Sequence, residues 1–295
     1  MTLGAPPDWT SLGAQVSAET LPLSLQQELV QRWATPFRPT GAYRIDLHVA
    51  PLPPPPLGPA REASLSTSTV RVRGSGTQVW IGAGLYLQVG ADHTQITVQP
   101  QAVHGADWLL AFGEAHRASG WLPLHAAAVA QAGRAVAVSG VSGAGKSTAA
   151  LRLAGAGLTV LAEDQTWVHP AAAEVVGLDR FLRAFPDSVG RFAPQQLEQD
   201  VKADTDGKLL LPLQPQREPA HLKALLIFGL PPRPTRAERV RALWEMTGVP
   251  LTPVAQQRSA QAVSEFVQRL PLEGTDRDGV VAQVGEWLEL PLLRM

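Results

Sequence analysis

Residues 140 to 147 read Gly-Val-Ser-Gly-Ala-Gly-Lys-Ser, which satisfies G-x-x-x-x-G-K-[ST] at every fixed position. Each fixed residue has a physical task. Glycines let the backbone turn its N–H groups toward phosphate oxygens, and the partial positive charge of a following helix adds to them. The loop amides from Gly140 through Ser142, Gly143, Ala144 and Gly145 to Thr148 are therefore the expected phosphate contacts. Lys146 would neutralise the β- and γ-phosphates, and the Ser147 hydroxyl would ligate magnesium. The ligand expected is a nucleoside triphosphate, ATP, with Mg2+.

Two further features flank the loop. Glu163 and Asp164 follow the apolar run Leu158–Ala162. Ligands of an open parallel sheet gather at the carboxyl ends of its strands. With that run next to the loop's own strand, the two carboxylates would face the γ-phosphate. One could hold magnesium, with Asp164 taken for that role beside Ser147, and Glu163 could accept a proton from an attacking hydroxyl. The two roles are open to exchange. Upstream, His125 lies in Leu122–Ala130, and the turn Gln131-Ala132-Gly133 joins that segment to the strand entering the loop. Hairpin pairing would carry His125 back toward the phosphates, where it could orient and tune Glu163.

These residues need particular elements to hold them. Arg134–Ser139 alternates as a strand, Lys146–Ala154 is an Ala/Leu-rich helix, and Gly155 and Gly157 stop it. Leu222–Phe228 is apolar enough for a central strand of the same sheet. Helices are expected over Ala242–Met246 and Ala260–Leu270, and Glu286–Leu293 closes the chain. Arg233, Arg236 and Arg239 could clamp phosphate or form a solvated helix face. Nearer the N-terminus, residues 15–35 have a helical apolar face. Strands are expected at Tyr43–Val49, Thr69–Arg73, Gln78–Ile81, Leu85–Val89 and Gln95–Val98, and a helix at Gly105–Ser119. The prolines between 51 and 59 read as an extended connection between strands rather than a peptide-recognition motif.

Composition narrows the classes. The chain has 295 residues, 45% hydrophobic and 17% charged, which is globular. A net charge of −1 gives no field for nucleic acid or anionic lipid, and no basic stripe with aromatic interleaving is present. Cysteine is absent, so disulfides and thiolate metal sites are excluded. Met1–Gly13 lacks the pattern of a secretory signal, and no apolar run reaches the ~20 residues of a membrane helix. The expectation is a soluble cytoplasmic protein. Lysine occurs only at 146, 202, 208 and 223.

The order His125, strand, phosphate loop, helix, Glu163-Asp164 resembles the kinase domain of HPr kinase/phosphorylase. It is more similar to the HPr-kinase-related kinases of bacterial gene clusters, including those that phosphorylate lasso peptides. That fold is distantly similar to ATP-dependent phosphoenolpyruvate carboxykinase. Val176–Asp187 resembles the family's Leu-Arg-Leu-Trp-Pro-Asp segment, and Asp206-Gly207-Lys208 its Gly-Lys-Arg turn. The resemblance implies Arg183 and Lys208 as substrate or phosphate contacts and makes a homo-oligomer an expectation. The family pair is Asp-Asp where this chain has Glu163. The chain also lacks the Arg-Gly-aliphatic-Gly-aliphatic-aliphatic-Asp segment of true HPr kinase/phosphorylase. That missing segment weakens what the resemblance implies about HPr as acceptor and about the reverse phosphorylase reaction, and leaves both open.

The fold class expected is α/β: a small β-rich module over residues 1–104, then a P-loop kinase domain of HPr kinase/PEP carboxykinase-like type over 105–295. The function expected is γ-phosphoryl transfer to a hydroxyl of an unidentified protein, peptide or small-molecule acceptor, with a serine the leading choice. The alternatives are a nucleotide-binding regulatory module with little turnover and a small-molecule kinase of the same fold.

Overall fold

The computed structural model describes residues 8–37, 43–65, 68–198 and 201–290, and the chain is mixed α/β. It divides into two compact units. One comprises Met1–Trp121 with Val249–Gln261, the other Leu122–Gly248 with Ala262–Met295. Residues 1–7 of the segment read for a signal, and 291–293 of the expected closing element, lie outside the described residues.

The first unit contains strands β1 (Asp8–Ser11), β2 (Ala14–Ser17), β3 (Arg44–Val49), β4 (Arg61–Ser64), β5 (Thr69–Ser75), β6 (Gln78–Ile81), β7 (Leu85–Val89) and β8 (His93–Val98). They form one sheet in the order β1-β2-β3-β8-β7-β6-β5-β4. Helices α1 (Leu23–Trp33) and α2 (Gly105–Ala118) belong to the same unit, together with the later segment 249–261. Alternation sets the buried face: Ile45 and Leu47 of β3, and Val70 and Val72 of β5, are buried. Trp33 and Phe112 stack at 4.7 Å between ring centroids, joining α1 to α2. The helix expected over residues 15–35 begins only at Leu23, because Val16 is taken into the sheet opposite Ile45 and Pro22 is extended before the helix.

The expected boundary at 104/105 differs from the observed one at Trp121/Leu122. Helix α2 buries Trp108 and Phe112 among first-unit aromatics. A later segment joins it: the Glu114 carboxylate accepts from Leu251 N, Thr252 N and Thr252 Oγ, the last two at 2.6 Å.

The second unit runs β9 (Leu122–Gln131), β10 (Arg134–Ser139), α3 (Lys146–Gly155), β11 (Thr159–Ala162), β12 (Gln165–His169), β13 (Glu174–Gly177), β14 (Phe181–Ala184), α4 (Pro186–Phe192), β15 (Leu209–Pro212), β16 (Ala220–Phe228) and α5 (Arg236–Thr247). It ends with part of α6 (Pro253–Arg269), β17 (Leu272–Thr275) and α7 (Val280–Trp287). The sheet order is β10-β16-β13-β12-β9-β11, with β17 on β16 and β10 also paired to β9. Strand β9 buries both faces: Leu122, Leu124, Ala126, Ala128 and Ala130 meet the cluster containing α5 and the end of α6. Ala127 and Val129 meet the cluster containing α3, α4 and α7. Helices thus cover both faces of this sheet, as a run rich in small apolar residues requires. No helix among the described residues is long and apolar enough to cross a membrane.

Candidate functional site

The site begins with a strand that stops and a helix that starts. β10 ends at Ser139, Gly140–Gly145 form the loop, and α3 opens at Lys146. Gly140, Gly143 and Gly145 have φ of 150°, 78° and 116°. A side chain is disfavoured at such angles, and a Cβ at Gly140 would also lie 2.8 Å from Phe228 Cβ. Among the described residues, the N–H groups of Gly143, Gly145, Lys146 and Ser147 meet no acceptor. These are the orphan donors of a helix start, gathered where an anion would satisfy them. Lys146 is buried and its Nζ donates to Gly140 O at 3.0 Å. Burial pulls its ammonium below the usual lysine value, against the opposing pull of Asp164 and Glu163.

The acidic pair reaches the loop by a different route from the expected one. β11 is not beside β10; β9 lies between them, antiparallel to both. The result still brings the pair close, because β9 is long enough to pair with β10, β11 and β12 at once. Ser139 stands opposite Ala126, and Gln165 opposite His125. The Ser139 hydroxyl donates to His125 O at 2.6 Å, fixing the backbone at the histidine.

The side chains of the pair then diverge. His125 Nε2 lies 2.8 Å from Asp164 Oδ1, and not on Glu163. Ser147 Oγ donates to Glu163 Oε1 at 2.6 Å, and Arg183 Nε reaches Glu163 Oε2 at 3.1 Å. The expected pairing of His125 with Glu163, and of Ser147 with Asp164, is therefore exchanged. The cause is register: His125 is directly opposite Gln165, so the neighbouring Asp164 falls within its reach. Glu163, one residue earlier, turns toward the start of α3. Burial raises the Asp164 carboxyl, but the His125 bond and the charges of His125, Lys146 and Arg183 outweigh it and hold it below the usual value. Glu163 is buried, at 7% side-chain exposure, whereas Asp164 keeps 23% and His125 50%.

Of the two downstream residues, Arg183 joins the cluster through β14. Lys208 does not bond to it; its Nζ sits 5.3 Å from the centre of the Phe185 ring. The arginine cluster stays away as well. Arg239 donates to Val267 O at 3.3 Å, and its helix packs on the face opposite α3.

Two residues central to the geometry escaped the sequence reading. Asp179 Oδ2 accepts from Glu163 N at 2.9 Å, and from Asp164 N and Gln165 N at 2.7 Å each. Burial raises its carboxyl above the usual value, and the three amide bonds oppose that rise. It reaches the pair because Gly177 lets the end of β13 pass against β11, where a Cβ would lie 1.8 Å from Leu161 O. The second residue is Arg277, whose Nε and Nη2 donate to Ala144 O at 3.1 Å and Gly143 O at 2.9 Å. Those bonds hold two carbonyls of the loop in place. Asp179 lies within the family-like segment quoted above, so its position carried a signal; Arg277 follows a short strand with no motif around it.

No family model and no curated protein sequence matches the chain.

Proposed function

We propose that the chain is an ATP- and magnesium-dependent kinase that transfers the γ-phosphoryl group to a hydroxyl, that of a serine in a protein or peptide. Its second unit would be a P-loop kinase domain of HPr kinase/PEP carboxykinase-like type. The observation that carries this reading is the pair of short contacts beside the loop, His125 to Asp164 and Ser147 to Glu163. A phosphate loop alone serves many nucleotide-binding proteins; a carboxylate coupled to a histidine beside it serves proton removal.

In this reading the loop amides and Lys146 bind the triphosphate. Asp164, the more exposed carboxylate, accepts the proton of the attacking hydroxyl while that oxygen bonds to the γ-phosphorus and the β,γ-bridging oxygen leaves with ADP. His125 orients Asp164, and Arg183 balances Glu163. Magnesium on a triphosphate needs only one or two protein oxygens, the rest being phosphate and water. Ser147 and Glu163 fit that requirement, and no group of three His, Cys, Asp or Glu able to hold a metal occurs among the described residues. When bound, magnesium would neutralise charge on the β- and γ-phosphate oxygens.

The test combines nucleotide-binding calorimetry with transfer of label from γ-labelled ATP to a serine peptide library. Asp164→Asn should lower transfer by about 10²–10⁴-fold while leaving ATP affinity within a few-fold of wild type. Lys146→Ala should weaken ATP binding itself. Undiminished transfer by Asp164→Asn would remove the proposed base. ATP binding with no transfer to any acceptor would favour the regulatory-module alternative.

A further inference from the structure

The first unit holds a cleft of about 750 Å³, within the ~300–1,000 Å³ usual for ligand sites. One wall is the run Pro53-Pro54-Pro55, and the other is sheet surface carrying Arg71, Arg73 and Trp80. Proline has no N–H, so the first wall offers carbonyl oxygens and no donors. Pro53 O accepts from Trp80 Nε1 at 2.8 Å, which ties the run to the sheet. Arg73 stands directly opposite Trp80 in the β5–β6 pairing, so the two share a face, and Arg71 follows two residues away on that face.

The polar groups of the cleft are unevenly committed. Asp107, also in the lining, already accepts from His104 N at 2.8 Å. Arg73 Nε is buried and meets no acceptor among the described residues. A buried guanidinium N–H left without an acceptor is costly, and a carboxylate is the acceptor that fits its fork. The cleft thus combines a cationic end, an aromatic and proline-lined apolar body, and the Pro54 and Pro55 carbonyls, which meet no donor among the described residues.

We infer that this cleft binds a short extended peptide segment bearing an acidic side chain. The carboxylate meets Arg73 and Arg71, and an apolar neighbour lies against Trp80 and the prolines. Peptide N–H groups donate to the free proline carbonyls. A small carboxylic acid would satisfy the arginines and leave those carbonyls unused, which is why a peptide is the better occupant. The inference stands apart from the phosphotransfer reading and does not depend on it.

The experiment uses the full chain and two pools of capped hexapeptides, one with glutamate fixed at a central position and the other with glutamine there. Binding is read by fluorescence anisotropy of a labelled pool. The glutamate pool should bind at least about tenfold tighter, as expected for a charge-assisted pair, and that gap should collapse in Arg73→Gln. If Arg73→Gln fails to fold, Arg71→Gln, at an exposed position, should still narrow the gap. Equal binding of the two pools, or a gap that survives in the folded variants, overturns the inference. So does displacement of the pool by propionate at the peptide's own affinity, which would make a small acid the occupant.

Discussion

The two carboxylate oxygens of Glu163 reach different partners, Ser147 on one side and Arg183 on the other. Asp164, next to it, is left to His125. Asp179 fixes the backbone that carries both carboxylates by gathering the amides of three consecutive residues onto one oxygen. Such a half-buried acceptor is hard to replace. Asp179→Ala would leave three N–H groups without a partner, each worth about 1–3 kcal/mol when buried and unsatisfied. The expected loss of stability is therefore about 3 kcal/mol or more, measured by denaturant unfolding. Asp179→Asn keeps an oxygen at the same place and should recover much of that loss. If Asp179→Ala is as stable as wild type, the three bonds do not hold this turn.

Elements explain which parts of the site the sequence disclosed. Hairpin β9–β10 and the strand–loop–helix after it were readable, because alternation, the turn at Ala132-Gly133 and the glycine pattern are all local. The position of β11 was not. A strand of four residues says nothing about whether it joins β10 directly or across β9, and that choice depends on pairing energies between distant segments. Which acid meets His125 follows from the same register, so the Glu163 and Asp164 roles could not be separated from sequence. Strand β2 overlaps the helix expected over residues 15–35, and β1 and β4 were not expected at all; the boundary at 104/105 was misplaced because α2 finds its partners far away in the chain. One partner makes a prediction. Glu114, buried in α2, holds the return segment through Leu251 and Thr252. Arg117, buried nearby and pushed down to about 10 by burial, has Glu114 as an opposing charge. Glu114→Ala should cost about 3–5 kcal/mol, as breaking a buried charged network does. Glu114→Gln should cost less, since one amide oxygen can still accept. Urea unfolding followed by tryptophan fluorescence separates the two, and equal stability of Glu114→Ala and wild type would refute the assignment.

At the scale of the molecule, a net charge of −1 leaves little long-range self-repulsion to drive acid unfolding near neutrality. Specific buried groups should therefore set the response to pH, and His116 is the clearest. It is fully buried in α2, shares a 2.8 Å hydrogen bond with Ser11 Oγ, and burial pushes its pKa down to about 3. In the unfolded chain its pKa is about 6.5. Between those values the unfolded state binds a proton that the folded state refuses, so this contribution to stability is complete above pH ~6.5 and is lost as pH falls toward ~3. The slope is about 1.4 kcal/mol per pH unit within the window. Glu114 acts with the opposite sign, because burial raises its carboxyl and the folded state takes up a proton first. A comparison of two proteins removes that opposing effect. His116→Phe should differ from wild type by a fixed amount at neutral pH, reflecting the lost bond to Ser11. As pH is lowered from 6.5 to 4.5, wild type should lose stability relative to the variant by about 2–3 kcal/mol. Parallel stability curves for the two proteins across that range would show that His116 takes up its proton without unfolding.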